Sequence, residues 1–147
     1  MDRKQHWDQI YATKAADTVS WFQEHAEHSV SLIHRTGLDK NAAIIDVGGG
    51  ASKLVDGLVA DDYGDLTVLD LSSSALAVAK QRLGKAAAVV HWIEGDITRV
   101  ELPLHRFDIW HDRAVFHFLT EAADRKAYVE QVRRAVRPGG HIIIATF

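Results

Sequence analysis

The stretch Ala42-Ala-Ile-Ile-Asp-Val-Gly-Gly-Gly-Ala-Ser-Lys-Leu54 does most to limit what this chain can fold into. Its apolar run, Ala42–Val47, is short, unbroken and bounded by turn residues, which suits a strand covered on both faces. Three glycines follow. Gly48 and Gly50 admit backbone angles and close approaches that a Cβ would block. After them Leu54, Val55, Leu58 and Val59 recur at helical spacing, predicting a helix over Ser52–Ala60. The free N–H groups and positive dipole end of that helix face whatever lies over the turn. Asp46 closes the strand with a carboxylate aimed at the same crevice. The combination suits a ligand carrying both an amino group and a carboxylate, the latter resting on the helix N-terminus.

The rest of the chain repeats the alternation. Further strands are predicted at Leu66–Asp70, Ala88–Glu94, Phe107–His111 and His141–Thr146. Ser72–Leu83 reads as a helix with serine at its N-cap and Gly84 just past its end. Thr120–Val136 reads as another, with Tyr128, Val132, Ala135 and Val136 as its apolar stripe and Pro138-Gly139-Gly140 as its stop. Such alternation predicts an α/β fold, a doubly wound, mostly parallel sheet of five strands. In sheets of that kind the ligand sits outside the carboxyl ends of the strands, at the switch point beside strand one. Residues 1–40 read as a helical segment laid before the sheet core of residues 41–147, in a single domain. Within it Ser29 is the expected cap of a helix over Val30–Arg35 that Gly37 stops. Trp7, Tyr11, Trp21 and Phe22 concentrate aromatics there, mostly for core packing, with one or two left to form a lid over the crevice.

Composition narrows the function. At 147 residues the chain is long enough for one real core. A net charge of −3 and the lack of a dense Lys/Arg run give no nucleic-acid signal. With no cysteine, disulfides and thiolate metal sites are impossible. No stretch approaches the roughly twenty apolar residues of a membrane span, and Met1-Asp-Arg-Lys-Gln-His6 lacks an apolar signal core. A cytoplasmic location is the expectation.

The strand ends carry the candidate chemistry. Asp46, Asp70, Asp96 and Asp112 each fall at a predicted strand's carboxyl end. At the end of strand two a carboxylate accepts hydrogen bonds from the two ribose hydroxyls of an adenosine. In Glu94-Gly-Asp-Ile97 a carboxylate can accept from an adenine amino group while Ile97 packs on the ring; the competing role is a turn aspartate. His111 and Asp112 lie beside the glycine turn, where a substrate or the far end of a cofactor would sit.

In order and spacing these segments resemble the class I S-adenosylmethionine-dependent methyltransferases over residues 40–147. Ile45-Asp-Val-Gly-Gly-Gly-Ala-Ser52 is similar to the first motif of that family, Val68-Leu-Asp-Leu-Ser72 to the second and Glu94-Gly-Asp-Ile97 to the third. Phe107-Asp-Ile-Trp-His111 is similar to the fourth, and Arg137-Pro-Gly-Gly-His-Ile-Ile-Ile144 to the segment entering strand five. His6-Trp-Asp-Gln-Ile-Tyr11 with Ser20-Trp-Phe22 resembles the N-terminus of some bacterial and lysine-directed members. The resemblance implies that Asp46, Gly48, Gly49 and Gly50, with Ser52 at the helix start, hold the methionine end of S-adenosylmethionine, and that S-adenosylhomocysteine is the product. It implies ribose binding by Asp70, with Leu71, Asp96 and Ile97 around the adenine and His111 near the donor. Tyr11 or Trp21 would cover the sulfonium, since an aromatic face favours a cation.

Two departures stand out. Ser52 replaces the usual third glycine. The family fold also continues with two more strands, the last antiparallel, whereas this chain stops at Phe147. A C-terminally shortened form lacking those strands is therefore expected, with strand five as an uncovered apolar edge. Pairing of that edge with another copy, giving a homo-oligomer, or its coverage by the N-terminal segment follows as an expectation. The shortened end also leaves catalysis by this chain alone in question.

Methyl transfer from a sulfonium is an in-line displacement on an activated donor, so alignment supplies much of the rate. If the acceptor must lose a proton, His111 and Asp112 are the candidates by position, with His117 behind them. Arg113 and His117 read first as structural residues. An NAD-binding oxidoreductase is the nearest rival in fold, but its fingerprint wants glycine where Lys53 stands. Ser52-Lys53-Leu54 likewise fails as a phosphate loop. His25-x-x-His28 with His34 lacks a carboxylate partner for zinc, so no metal is expected. A methyltransferase-like domain that binds cofactor or partner without turnover is the remaining alternative. The acceptor, a small molecule in preference to a protein lysine, is not encoded in strands one to five.

Overall fold

The computed structural model describes residues 3–5, 21–50, 52–113 and 115–146, with only the backbone of residues 21–25. Five strands form one parallel sheet in the order β3-β2-β1-β4-β5. They are β1 (Ala43–Val47), β2 (Asp65–Asp70), β3 (Val90–Glu94), β4 (Phe107–Asp112) and β5 (Val136–Ile144). Among the described residues these helices accompany them: α1 (Trp21–Arg35), α2 (Leu54–Ala60), α3 (Ser73–Leu83) and α4 (Ala122–Ala135). The sheet is doubly wound, as the alternation predicts, and the strand order reverses between β1 and β4.

β1 is buried at every residue because helices cover both faces. On one face Ile44, Leu66, Val68 and Ile109 pack under Ile33 of α1, Leu54, Val55 and Leu58 of α2 and Leu76 of α3. On the other Ile45, Val47, Leu69 and Trp110 pack under Tyr128, Val132 and Ala135 of α4. Each fully buried branched aliphatic contributes roughly 1.5–3 kcal/mol. The strand period of two sorts these residues: Ile44 and Asp46 face α1 and α2, and Ile45 and Val47 face α4.

Four of the departures from the expected boundaries have a local reason. Ser29 does not cap a short helix; it lies inside α1, whose stripe Ala26, Ser29, Ile33 is buried at helical spacing. Gly37 ends that helix as expected, with φ +74°. α2 starts at Leu54 rather than Ser52, because the Ser52 hydroxyl accepts from the Leu54 N–H and shapes the turn before the helix. Residues Gly84–Val89 form a 3₁₀ turn, so β3 begins at Val90 rather than Ala88. Finally, β5 begins at Val136, directly after α4, with Pro138-Gly139-Gly140 inside the strand. The register with β4 shifts between Phe107 and Ile109. Glycine is required there: a Cβ on Gly140 would stand 2.8 Å from the Asp108 carbonyl oxygen. Among the described residues β5 pairs with β4 alone and carries exposed Ile142 and Ile144.

Candidate functional site

Parallel register brings the strand ends to one rim. Asp46 sits opposite His111, Val47 opposite Leu69 and Asp112, and Asp70 opposite Glu94. The glycine turn leaves this rim between β1 and α2 and is tied to β2. The N–H groups of Gly48 and Gly49 donate to the Leu69 carbonyl at 2.6 and 3.3 Å. Gly50 N–H donates to Asp70 Oδ2 at 3.0 Å, and Ser72 N–H to Asp70 Oδ1 at 2.9 Å. Asp70 thus binds both the turn and the start of α3, leaving Ser72 to cap that helix through the Ala75 N–H.

Each glycine of the turn is needed for a different reason. Gly48 has φ +74°, and a Cβ there would lie 2.2 Å from Val115 Cγ2. A Cβ on Gly49 would lie 2.3 Å from Asp46 Oδ2, and one on Gly50 2.8 Å from the Ala75 Cβ. The turn therefore presents bare backbone over a buried carboxylate. Asp46 is 4% exposed, and its Oδ2 has no hydrogen-bond partner among the described residues. A cradle that Cβ atoms would fill, beside an orphaned anionic oxygen, fits a ligand bearing an ammonium group.

His111 and Asp112 enter different layers of the fold. Successive strand residues point to opposite faces, so His111 faces α1 and Asp112 faces α4. His111 is 1% exposed, with Nδ1 2.8 Å from Asp46 Oδ1 and Nε2 2.8 Å from the Ser29 hydroxyl. Asp112 is fully buried. Its Oδ1 accepts from the Val115 N–H, and its Oδ2 from the Phe116 N–H and the Tyr128 hydroxyl. Tyr128 in turn accepts from the Trp110 indole N–H. Burial, and then the Asp112 charge, raise the Tyr128 phenol far above its ordinary range. His111 and Asp112, each a candidate by position for taking a proton from an acceptor, are both engaged within the protein, His111 through both ring nitrogens. Asp112 instead fixes the loop that rests Val115 on Gly48.

At the β3 end Asp96 behaves as the turn aspartate. Its Oδ1 accepts from the Thr98 N–H and hydroxyl, and its Oδ2 from Arg3 at 2.8 Å. Burial pushes its carboxyl upward, but the Thr98 bonds and Arg3 outweigh that and hold it below the usual carboxylate range. Ile97 packs into the core with Leu69 and Leu102. Leu71 is half-buried just beyond Asp70. Tyr11 lies outside the described residues, and Trp21 is described only as the first residue of α1. Among the described residues no cluster of His, Asp and Glu could hold a metal ion. His34, weighed as a zinc ligand, bonds Asp61 at 2.9 Å. No described helix is long and apolar enough to cross a membrane.

Two structural anchors escape a linear reading, Ser29 and Tyr128. The signal for each was a polar group on an apolar helical stripe, which demands a buried partner.

Comparison with known proteins agrees with this geometry. Residues 45–144 match the family model described as a methyltransferase domain. EEF1A lysine methyltransferase 2 of Danio rerio is 27% identical over 97% of this chain and 67% of its own length. The ubiquinone/menaquinone biosynthesis C-methyltransferase UbiE of Shewanella woodyi is 24% identical over 78% of this chain and 46% of its own. The chain thus spans from about half to two thirds of the length of these curated relatives. Among solved structures, the putative methyltransferase complexed with the Haloferax volcanii activator Trm112 superposes with TM-score 0.77 at 19% identity, over 95% of this chain and 57% of that one. The glycopeptide N-methyltransferase MtfA gives TM-score 0.70 at 21% identity, over 83% and 53%. With the family model covering most of the sheet core and the strand ends converging on the glycine turn, the chain belongs to the methyltransferase domain family, among the class I S-adenosylmethionine-dependent methyltransferases.

Proposed function

We propose that this chain binds S-adenosylmethionine at the rim formed by Asp46, Gly48, Gly49, Gly50 and Asp70, and that its methyl group passes to a small-molecule acceptor. The carrying observation is the lashing of the glycine turn to β2 through the Gly50 N–H and Asp70, over the orphaned Asp46 oxygen. When bound, the donor supplies a methyl already activated by its sulfonium. The protein's part is to bind and align. Asp46 offers an anion to the donor ammonium, and Asp70, the carboxylate at the end of β2, would accept from ribose hydroxyls. Lys53 at the third fingerprint position disfavours an NAD-binding oxidoreductase.

Calorimetric titration with S-adenosylhomocysteine and with NAD tests the reading. The first is expected to bind and the second not. Asp70→Ala is expected to weaken binding by roughly 1–3 kcal/mol; unchanged affinity would take Asp70 out of the site. A methyl-donor turnover assay with small-molecule and lysine-peptide acceptors separates an enzyme from a silent binding module. Transfer to the peptide alone would reverse the acceptor preference.

A further inference from the structure

Ser29, His111 and Asp46 form a continuous buried chain of hydrogen bonds, two links of 2.8 Å that join α1 to the ends of β4 and β1. The carboxylate can only accept, so His111 Nδ1 carries the proton in the first link. Nε2 makes the second link, to the Ser29 hydroxyl. The order of groups is that of a hydrolase triad, but Ser29 is 4% exposed in the middle of a packed helix, closed to any substrate. Its geometry serves another end. Asp46 has one oxygen held by the imidazole and the other turned under Gly49, where a Cβ would collide with it. The imidazole is thus what sets the direction of the second oxygen, and Ser29 is what sets the imidazole.

We infer that His111 and Ser29 are positioning residues. They hold the Asp46 carboxylate in the orientation that receives the donor's cationic end, and they make that orientation depend on the docking of α1. The inference rests on the donor reading above and adds to it the residues that act through Asp46. Buried groups with all their hydrogen bonds made hold one orientation, which is how a supporting shell fixes a binding group.

Calorimetry with S-adenosylhomocysteine tests it on the wild-type protein and on Ser29→Ala, His111→Ala, His111→Asn and His111→Gln, each checked for folding by circular dichroism. The asparagine amide can take the place of Nδ1 and still donate to Asp46; the glutamine amide reaches the place of Nε2 and cannot. His111→Ala and His111→Gln are expected to weaken binding roughly tenfold or more, the loss of one hydrogen bond to a charged group. His111→Asn is expected to recover most of that loss, and Ser29→Ala to weaken binding by a smaller factor than His111→Ala. A role in stability alone would not separate asparagine from glutamine among folded variants. Equal affinity for those two, whether both weak or both unimpaired, overturns the inference while leaving the donor reading intact. Failure of the wild-type protein to bind removes the donor reading, and the positioning role with it.

Discussion

Gly49 is the position where a single added methyl group tests the buried carboxylate most directly. Its φ is not in the left-handed region, so alanine meets no backbone strain there. The cost is steric. The new Cβ would stand 2.3 Å from Asp46 Oδ2, 2.5 Å from Cγ and 3.0 Å from Cβ. The near neighbour is a short side chain fixed at its far end by His111, so it can move only by giving up that 2.8 Å bond. Overpacking costs about 1–3 kcal/mol, and a buried hydrogen bond to a charged group about 1.5–3 kcal/mol. Relief of one incurs the other, so the two do not add, and Gly49→Ala should destabilise by about 2–3 kcal/mol. At this chain length that corresponds to a fall in Tm of roughly 6–9 °C. Gly64 is the control, having no atom within 4 Å of an added Cβ and no positive φ. Gly64→Ala should be neutral or stabilise by about 0.4–1 kcal/mol through the unfolded chain. Urea unfolding of both variants, with Asp46→Ala and Asp46→Ala/Gly49→Ala completing a double-mutant cycle, measures the contact itself. Most of the Gly49→Ala cost should vanish when Asp46 is already alanine, a coupling above about 1 kcal/mol. A cycle that closes additively would refute the claim that the turn is bare because a carboxylate lies beneath it.

Three further outcomes follow from the same structure. Tyr128→Phe strips a partner from both Asp112 and the Trp110 indole in a closed space, and should cost about 2–3 kcal/mol by urea unfolding; a change below 0.5 kcal/mol, about the scatter of a neutral surface substitution, would contradict the network. Ser72→Ala removes the cap on the Ala75 N–H and should cost about 1 kcal/mol, with Ser72→Asp largely restoring it. The Arg106 hydrogen bonds hold the Asp65 carboxyl below its ordinary range against an opposing push from burial. Its contribution to stability is therefore fully present above about pH 4 and is lost as the pH falls from there through the depressed folded value. Urea midpoints of the wild-type protein should accordingly fall more steeply below pH 4 than those of Asp65→Asn, and parallel curves would rule the pair out as a source of acid sensitivity.

The elements were legible in the sequence wherever period and punctuation agreed. Ala42–Val47 is apolar without a break and became a strand buried on both faces; Ser72 and Gly84 bracket a helix and do so in the structure. Boundaries slipped where a local side-chain bond competes with the pattern, as when the Ser52 hydroxyl takes the Leu54 N–H and delays α2. The Pro-Gly-Gly stretch reads as a stop, yet it lies within β5, because a strand at the sheet edge tolerates a proline and a register shift. The aspartates at the rim were also legible, since each ends an apolar run.

Their partners were not legible, and the reason is topological. Ser29 and His111 are 82 positions apart, and Asp46 and His111 65. No local pattern joins them, and only the order β1-β4 with α1 packed beside it brings them within bonding distance. Yet one part of the outcome was implicit. In a parallel strand consecutive residues face opposite ways, so His111 and Asp112 were bound to serve opposite faces once Phe107–His111 was read as a strand. Two polar residues entering two apolar layers must each find a buried partner there, and each found one on the helix covering its layer: Ser29 on α1, Tyr128 on α4. The same alternation makes them the two pins by which α1 and α4 are held to the strand beside the glycine turn. The rim is therefore specified from beneath, by what the helices anchor, as much as from above, by what it binds.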